Sequence, residues 1–173
     1  MLSESKNMSD EIPLPPHSEV LQHVIDSLFH VISQNTTPSF AWLTLRIMLQ
    51  KNCYSHQFLH HVDIGEIEKI QNCNCNDPSF QSVSIATVPC EIDTVNIGQL
   101  GQCIYDLIQD LRNQMGTQAG YILIHQFRND LGEQYYQALN QMGVDLQLAE
   151  VQYELYGWEG KKSETPSLTQ LDK

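Results

Sequence analysis

Apolar side chains at Ile97, Leu100, Ile104, Leu107, Ile108, Leu111 and Met115 recur at three- and four-residue intervals and stop at Gly116. That spacing puts them on one face of an α-helix, which glycine then ends. A second series, Leu21, Val24, Ile25, Leu28 and Ile32, has the same period, follows Ser18 as a candidate N-cap, and finishes before Asn35-Thr36-Thr37-Pro38. An amphipathic helix has to bury its stripe against another element, so these segments must share a core. The 173 residues are enough for one such core. A single domain over residues 17–158 is expected. Residues 1–16, with Pro13, Pro15 and Pro16 among acids, and residues 159–173 carry few large apolar side chains, and they read as disordered tails.

Other stretches read as strands. In FAWLTLRIMLQ, Ala41, Leu43, Leu45, Ile47 and Leu49 alternate with Thr44, Arg46 and Gln50, which suggests a strand, although Phe40, Trp42 and Met48 make its second face apolar and leave a short helix open. Phe80 to Val88 alternates with β-branched residues. Tyr121–Ile124 is apolar on both faces, as a strand covered on both sides would be, and Asp130 with Glu133 three residues on looks like the start of a helix that Gly143 ends. From Val144 a last strand is expected. Its apolar positions switch from even (Val144, Leu146, Leu148) to odd (Val151, Tyr153, Leu155), which calls for a bulge near Leu148-Ala149. The fold class expected is α/β: a mixed sheet of about four strands, flanking helices, and a C-terminal βαβ unit.

Charge narrows the partners. The chain carries a formal net charge of −12, with charged residues at only 17%. Arg46, Lys51, Lys69, Arg112 and Arg128 stand against fifteen acids between His17 and Trp158, so the acidity belongs to the folded part and not to a tail. Nucleic acid and anionic membranes are disfavoured, because both are recognised by clustered bases. A basic or apolar protein partner fits better. The N-terminus shows no basic-then-apolar leader pattern and no apolar run approaches a membrane span, so a cytoplasmic protein is expected. Five cysteines, an odd number, suggest free thiols or a metal site ahead of a disulfide framework.

Three groups of residues could carry chemistry. Cys53-x2-His56-x3-His60-His61 followed by Cys73-x-Cys75 supplies N and S ligands in close pairs, and Cys53, His56, Cys73 and Cys75 form a candidate zinc set. Its spacing matches no standard zinc finger. Glu19, His23, Asp26 and His30 lie at intervals of four, three and four on the polar face of the first helix, where carboxylates and imidazoles can bind a metal or exchange protons. His125, Arg128 and Asn129 would sit beyond the C-terminal end of a strand and at a helix start, the usual ligand position in an α/β sheet. No glycine-rich phosphate loop and no Gly-x-Ser-x-Gly elbow occurs.

Over about residues 80–156 the order of elements resembles the core of restriction-endonuclease-like folds. That resemblance would make Asp63 or Asp77 the first acid and Glu91 the glutamate of the Glu-x-Lys pair, yet Asp93 stands where the lysine belongs. The expected function is therefore protein–protein binding by a regulatory or assembly factor, with no evident catalysis and with Trp42 and Trp158 as candidate interface residues. A metal-dependent hydrolase or degenerate nuclease-like domain is the alternative, and a zinc-stabilised adaptor stands between the two.

Overall fold

The structure, a computed structural model, describes residues 14–66 and 84–148. Four helices make up most of it: α1 (His17–Asn35), α2 (Pro38–Asn52), α3 (Ile97–Met115) and α4 (Thr117–Gln141). Short 3-10 turns span Gln57–His61 and Cys90–Thr94. The described strands are β1 (Asp63–Ile64) and β2 (Ala86–Thr87), paired antiparallel with Asp63 opposite Thr87. The fold is helical. A four-stranded mixed sheet with a C-terminal βαβ unit is overturned, and each misread segment has a physical reason.

Nearly every position from Phe40 to Leu49 is apolar, so alternation and helical period both match there. The buried residues, Ala41, Thr44, Leu45, Met48, Leu49 and Asn52, recur with the helical period. The deciding signal lies upstream. Thr37 Oγ1 accepts the backbone N–H of Phe40 at 3.2 Å, and Pro38 occupies the first turn, where its missing N–H costs nothing. The Thr37-Pro38 pair is thus the start of α2 as well as the end of the preceding turn.

Tyr121–Ile124 belongs to α4. Leu123, Ile124, Phe127 and Leu131 are buried and continue one helical stripe through what reads as a loop, while Ile122 is half exposed. Asp130 does not open a helix, because the interruption falls at Gly132, whose φ of 75° and ψ of 160° suit glycine. Of the alternating stretch 80–88, only Ala86–Thr87 pairs as a strand among the described residues. Val144 and Asp145 are irregular and 146–148 is a helical turn, not a strand; the expected bulge lies partly outside the described residues. Glu91 and Asp93 sit in the 3-10 turn, so the nuclease-like element order does not hold.

α1 is the centre of the molecule. Val20, Leu21, Val24, Ile25, Leu28, Phe29, Val31 and Ile32 are at most 2% exposed, so this helix is buried around most of its circumference. It packs against α2 and α4, and α3 closes the core against α2, α4 and α1. Polar side chains fix the register. Asp110 of α3 is buried, accepts Asn52 Nδ2 at 2.7 Å and pairs with Lys51. At the far end α3 meets the end of α4 so closely that Gly101 lies directly against the Met142 backbone. No helix among the described residues is long and apolar enough to cross a membrane.

Candidate functional site: an acidic cleft at the start of α1

The N-terminal half of α1 forms one wall of a cleft of about 330 Å³ lined by Pro16, Ser18, Glu19, Gln22, His23, Asp26, Asp93 and Tyr135. Three elements build it. α1 contributes Ser18 to Asp26, the 3-10 turn contributes Asp93, and α4 contributes Tyr135 from just beyond its kink. Glu19, His23 and Asp26 share this cleft as one face of α1. Asp93 and Tyr135, which complete it, carry no sequence pattern that points to α1.

Each group is held in place. Tyr135 donates its hydroxyl to Glu19 Oε1 at 2.6 Å and stacks on the His23 ring, centroid to centroid 3.8 Å. Burial, then the hydrogen bond to Glu19 and that carboxylate's charge, push the phenol up to about 12, so it remains a neutral donor. His23 Nε2 lies 3.0 Å from the Leu131 carbonyl, on the residue before the Gly132 kink. A carbonyl can only accept, so Nε2 carries the proton.

Asp26 accepts the backbone N–H groups of Ile85 and Ala86 at 2.9 and 3.1 Å, which fastens β2 to α1. Desolvation outweighs these hydrogen bonds and raises its pKa. Asp93 is the opposite case. It accepts the Ser18 backbone N–H at 2.7 Å, and hydrogen bonds from the Ser18 backbone and side chain, the largest causes, lower its pKa.

The α1 N-cap position is Pro16, which offers no side-chain acceptor, and Ser18 lies inside the first turn instead of capping it. Asp93 therefore serves as a cap supplied from elsewhere in the chain. Asp93→Ala is expected to cost about 0.5–1 kcal/mol near neutral pH. A carboxylate with a lowered folded pKa gives stability that is present above its unfolded value and lost as pH falls through the folded one. The difference in Tm between the variant and the native chain, followed by circular dichroism, should therefore shrink as pH drops below about 4.

His30, the fourth residue of the α1 stripe, points elsewhere. Its Nδ1 pairs with Asp130 Oδ1 at 2.8 Å and its Nε2 lies 3.0 Å from Gln34 Nε2. The polar stripe of α1 and the segment around Asp130 thus meet at this pair. His125 and Asn129 lie exposed in mid-helix on α4, and the Arg128 guanidinium lies 5.1 Å from the centre of the Tyr136 ring. They occupy neither a strand end nor a helix start, which removes the reason for grouping them as a ligand site.

Of the zinc set, Cys53 and His56 are described, and Cys73 and Cys75 lie outside the described residues. His56 Nε2 is 2.8 Å from Asp106 Oδ2. Cys53 is partly buried, and desolvation raises its pKa. Cys103 is fully buried, and desolvation, then the Asp106 charge and Cys53, push its thiol up to about 12. Such a thiol is an inert core residue at neutral pH. Among the described residues, no group of three or more His, Cys, Asp and Glu is placed to hold a metal ion.

Trp42 is half buried, donates Nε1–H to the Gly65 carbonyl at 2.8 Å, and carries the Arg46 guanidinium 5.0 Å from its ring centre. Met48 is fully buried, whereas Phe40 is exposed. Asp77, Tyr156 and Trp158 lie outside the described residues. No protein-family model, curated protein or solved structure matches the chain.

Proposed function

We propose that this protein is a non-catalytic, cytoplasmic binding protein whose cleft receives a basic side chain, lysine or arginine, from a protein partner. One observation carries the reading: Glu19, Asp26 and Asp93 line a single cleft, and among the described residues no Lys or Arg lines it. The acidic balance of the whole chain works in the same direction by steering a basic partner toward the surface. The chemistry of the cleft favours binding over turnover. Tyr135 stays protonated, and His23 is held by the Leu131 carbonyl and by stacking on the phenol, so the walls of the cleft are fixed in advance, as a binding site requires.

The test is titration calorimetry of the full chain with a lysine-rich peptide and with the same peptide carrying glutamine for lysine. Glu19→Gln combined with Asp93→Asn keeps a hydrogen-bond acceptor at both positions and removes two charges. The expected result is binding of the basic peptide alone, weakened about tenfold in the double variant, which corresponds to roughly 1.4 kcal/mol. A charge-matched control, Glu133→Gln with Asp145→Asn, alters carboxylates that do not line the cleft and should retain the affinity. Equal loss in both double variants would show that the peptide follows overall charge and not the cleft, and would reject the proposal.

A further inference from the structure

α2 presents an outward face quite unlike the rest of the molecule. Phe40, Leu43 and Ile47 are 46%, 50% and 48% exposed, and Tyr54, just past the helix end, is 86% exposed. On the helix, Phe40, Leu43 and Ile47 are spaced by three and four residues, which sets them along one side as in a seam that receives another helix. On a soluble surface a continuous apolar stripe of this kind marks an interaction site.

Charge decides what covers it. α2 contains Arg46 and Lys51 and no Asp or Glu, whereas α1 carries Glu19 and Asp26, α3 carries Asp106 and Asp110, and α4 carries Asp130 and Glu133. Lys51 is partly neutralised by Asp110, but its side chain is still 65% exposed. Arg46 lies exposed over the Trp42 ring, beside the stripe. A second copy meeting this face through its own α2 would set like cations against each other, since a two-fold interface repeats the same patch on both sides. An acidic occupant has no such conflict. A 15-residue helix is about 22 Å long, enough for one docked helix of three to four turns but small beside a standard interface.

We propose that the outer face of α2 docks an amphipathic helix of a partner protein, apolar on the side it lays down and acidic along its flanks. This goes beyond the cleft reading and stands independently of it, because none of the cleft residues belongs to α2. Taken with the cleft, it gives one small protein two binding faces of opposite preference, as an assembly factor joining two partners requires.

The test uses the full chain and two synthetic helices of about 18 residues. Both carry the same leucine seam, and their flanks are Glu in one and Lys in the other. By fluorescence anisotropy the Glu-flanked helix should bind and weaken in high salt. Leu43→Asp and Ile47→Asp should each weaken it about tenfold, with only a small shift in the thermal melt because both side chains lie at the surface and outside the buried core. Ile122→Asp, an equally exposed apolar residue on α4, should leave binding intact.

No binding of the Glu-flanked helix, or binding that survives Leu43→Asp and Ile47→Asp, overturns the proposal. So does a solution dimer that Leu43→Asp dissociates, which would assign the face to a second copy. Binding that emerges only after Leu155→Asp with Trp158→Asp would assign it to the chain's own C-terminal residues and overturn it equally.

Discussion

Replacing Gly101 with alanine is expected to destabilise the protein by about 3 kcal/mol, a fall in Tm of roughly 6–12 °C for a chain of this size. In an isolated helix the same change would stabilise, because alanine is favoured over glycine by about 1 kcal/mol. Here a methyl group would meet the Met142 carbonyl oxygen well inside van der Waals contact, with the carbonyl carbon at 3.0 Å. The obstacle is backbone and cannot rotate away. Either α3 and the end of α4 separate, or the turn at Met142 is rebuilt, and both open the core around Leu100 and Leu139. Gly98→Ala is the control. It lies on the same helix and meets only the Asn96 side chain, at 3.3 Å, so its effect should be small. Thermal and urea melts of the two variants separate close packing from helix propensity, and a Gly101→Ala protein as stable as the native chain would refute the α3–α4 contact.

Truncating Phe127 to alanine should cost about 3–5 kcal/mol. Its side chain is fully buried and is among the largest in the core, on the α4 stripe with Leu123, Ile124 and Leu131. α4 is tied to α1 by His30–Asp130 and Tyr135–Glu19, so the cavity cannot simply collapse. Domains of this size are stable by about 5–15 kcal/mol, so the variant should be marginal and give an early, broadened urea transition. Asn129→Ala, two residues away on the exposed side, should stay within about 0.5 kcal/mol. If 121–124 were a strand leading into a ligand loop at 125–129, the two effects would be reversed.

What the sequence disclosed and concealed follows from how many patterns each segment fits. α1 and α3 have clean helical periods with polar residues between, and their bounds are close to those the spacing predicts: His17–Asn35 and Ile97–Met115. In α2 and the first part of α4, apolar residues are so dense that period two and period 3.6 are both satisfied. Burial then has to decide, and burial is a tertiary property. The signal that decides α2 is local: Thr37-Pro38 is a helix start as readily as a turn. For α4, the extension of Leu123 and Ile124 to Phe127 and Leu131 was the available clue. The cleft was half legible. Glu19, His23 and Asp26 announce a polar face of α1, but Tyr135 and Asp93 come from 116 and 75 residues along the chain. No spacing rule reaches that far.

The central position of α1 also has a consequence for the time course of synthesis. This helix is made well before α4, yet its buried faces are covered by residues from α4, with contacts such as His30 to Asp130 spanning 100 residues. At roughly 5–20 residues per second, about 5–20 s pass before those residues are translated. α2 can fold back on α1 early, since the two are separated only by a short turn, but it covers one side alone. A nascent chain therefore carries an apolar helix with an open flank for many seconds, the kind of segment that holding chaperones engage. Substitutions that slow the formation of α4 should lower the yield of folded protein in the cell by more than their effect on equilibrium stability accounts for.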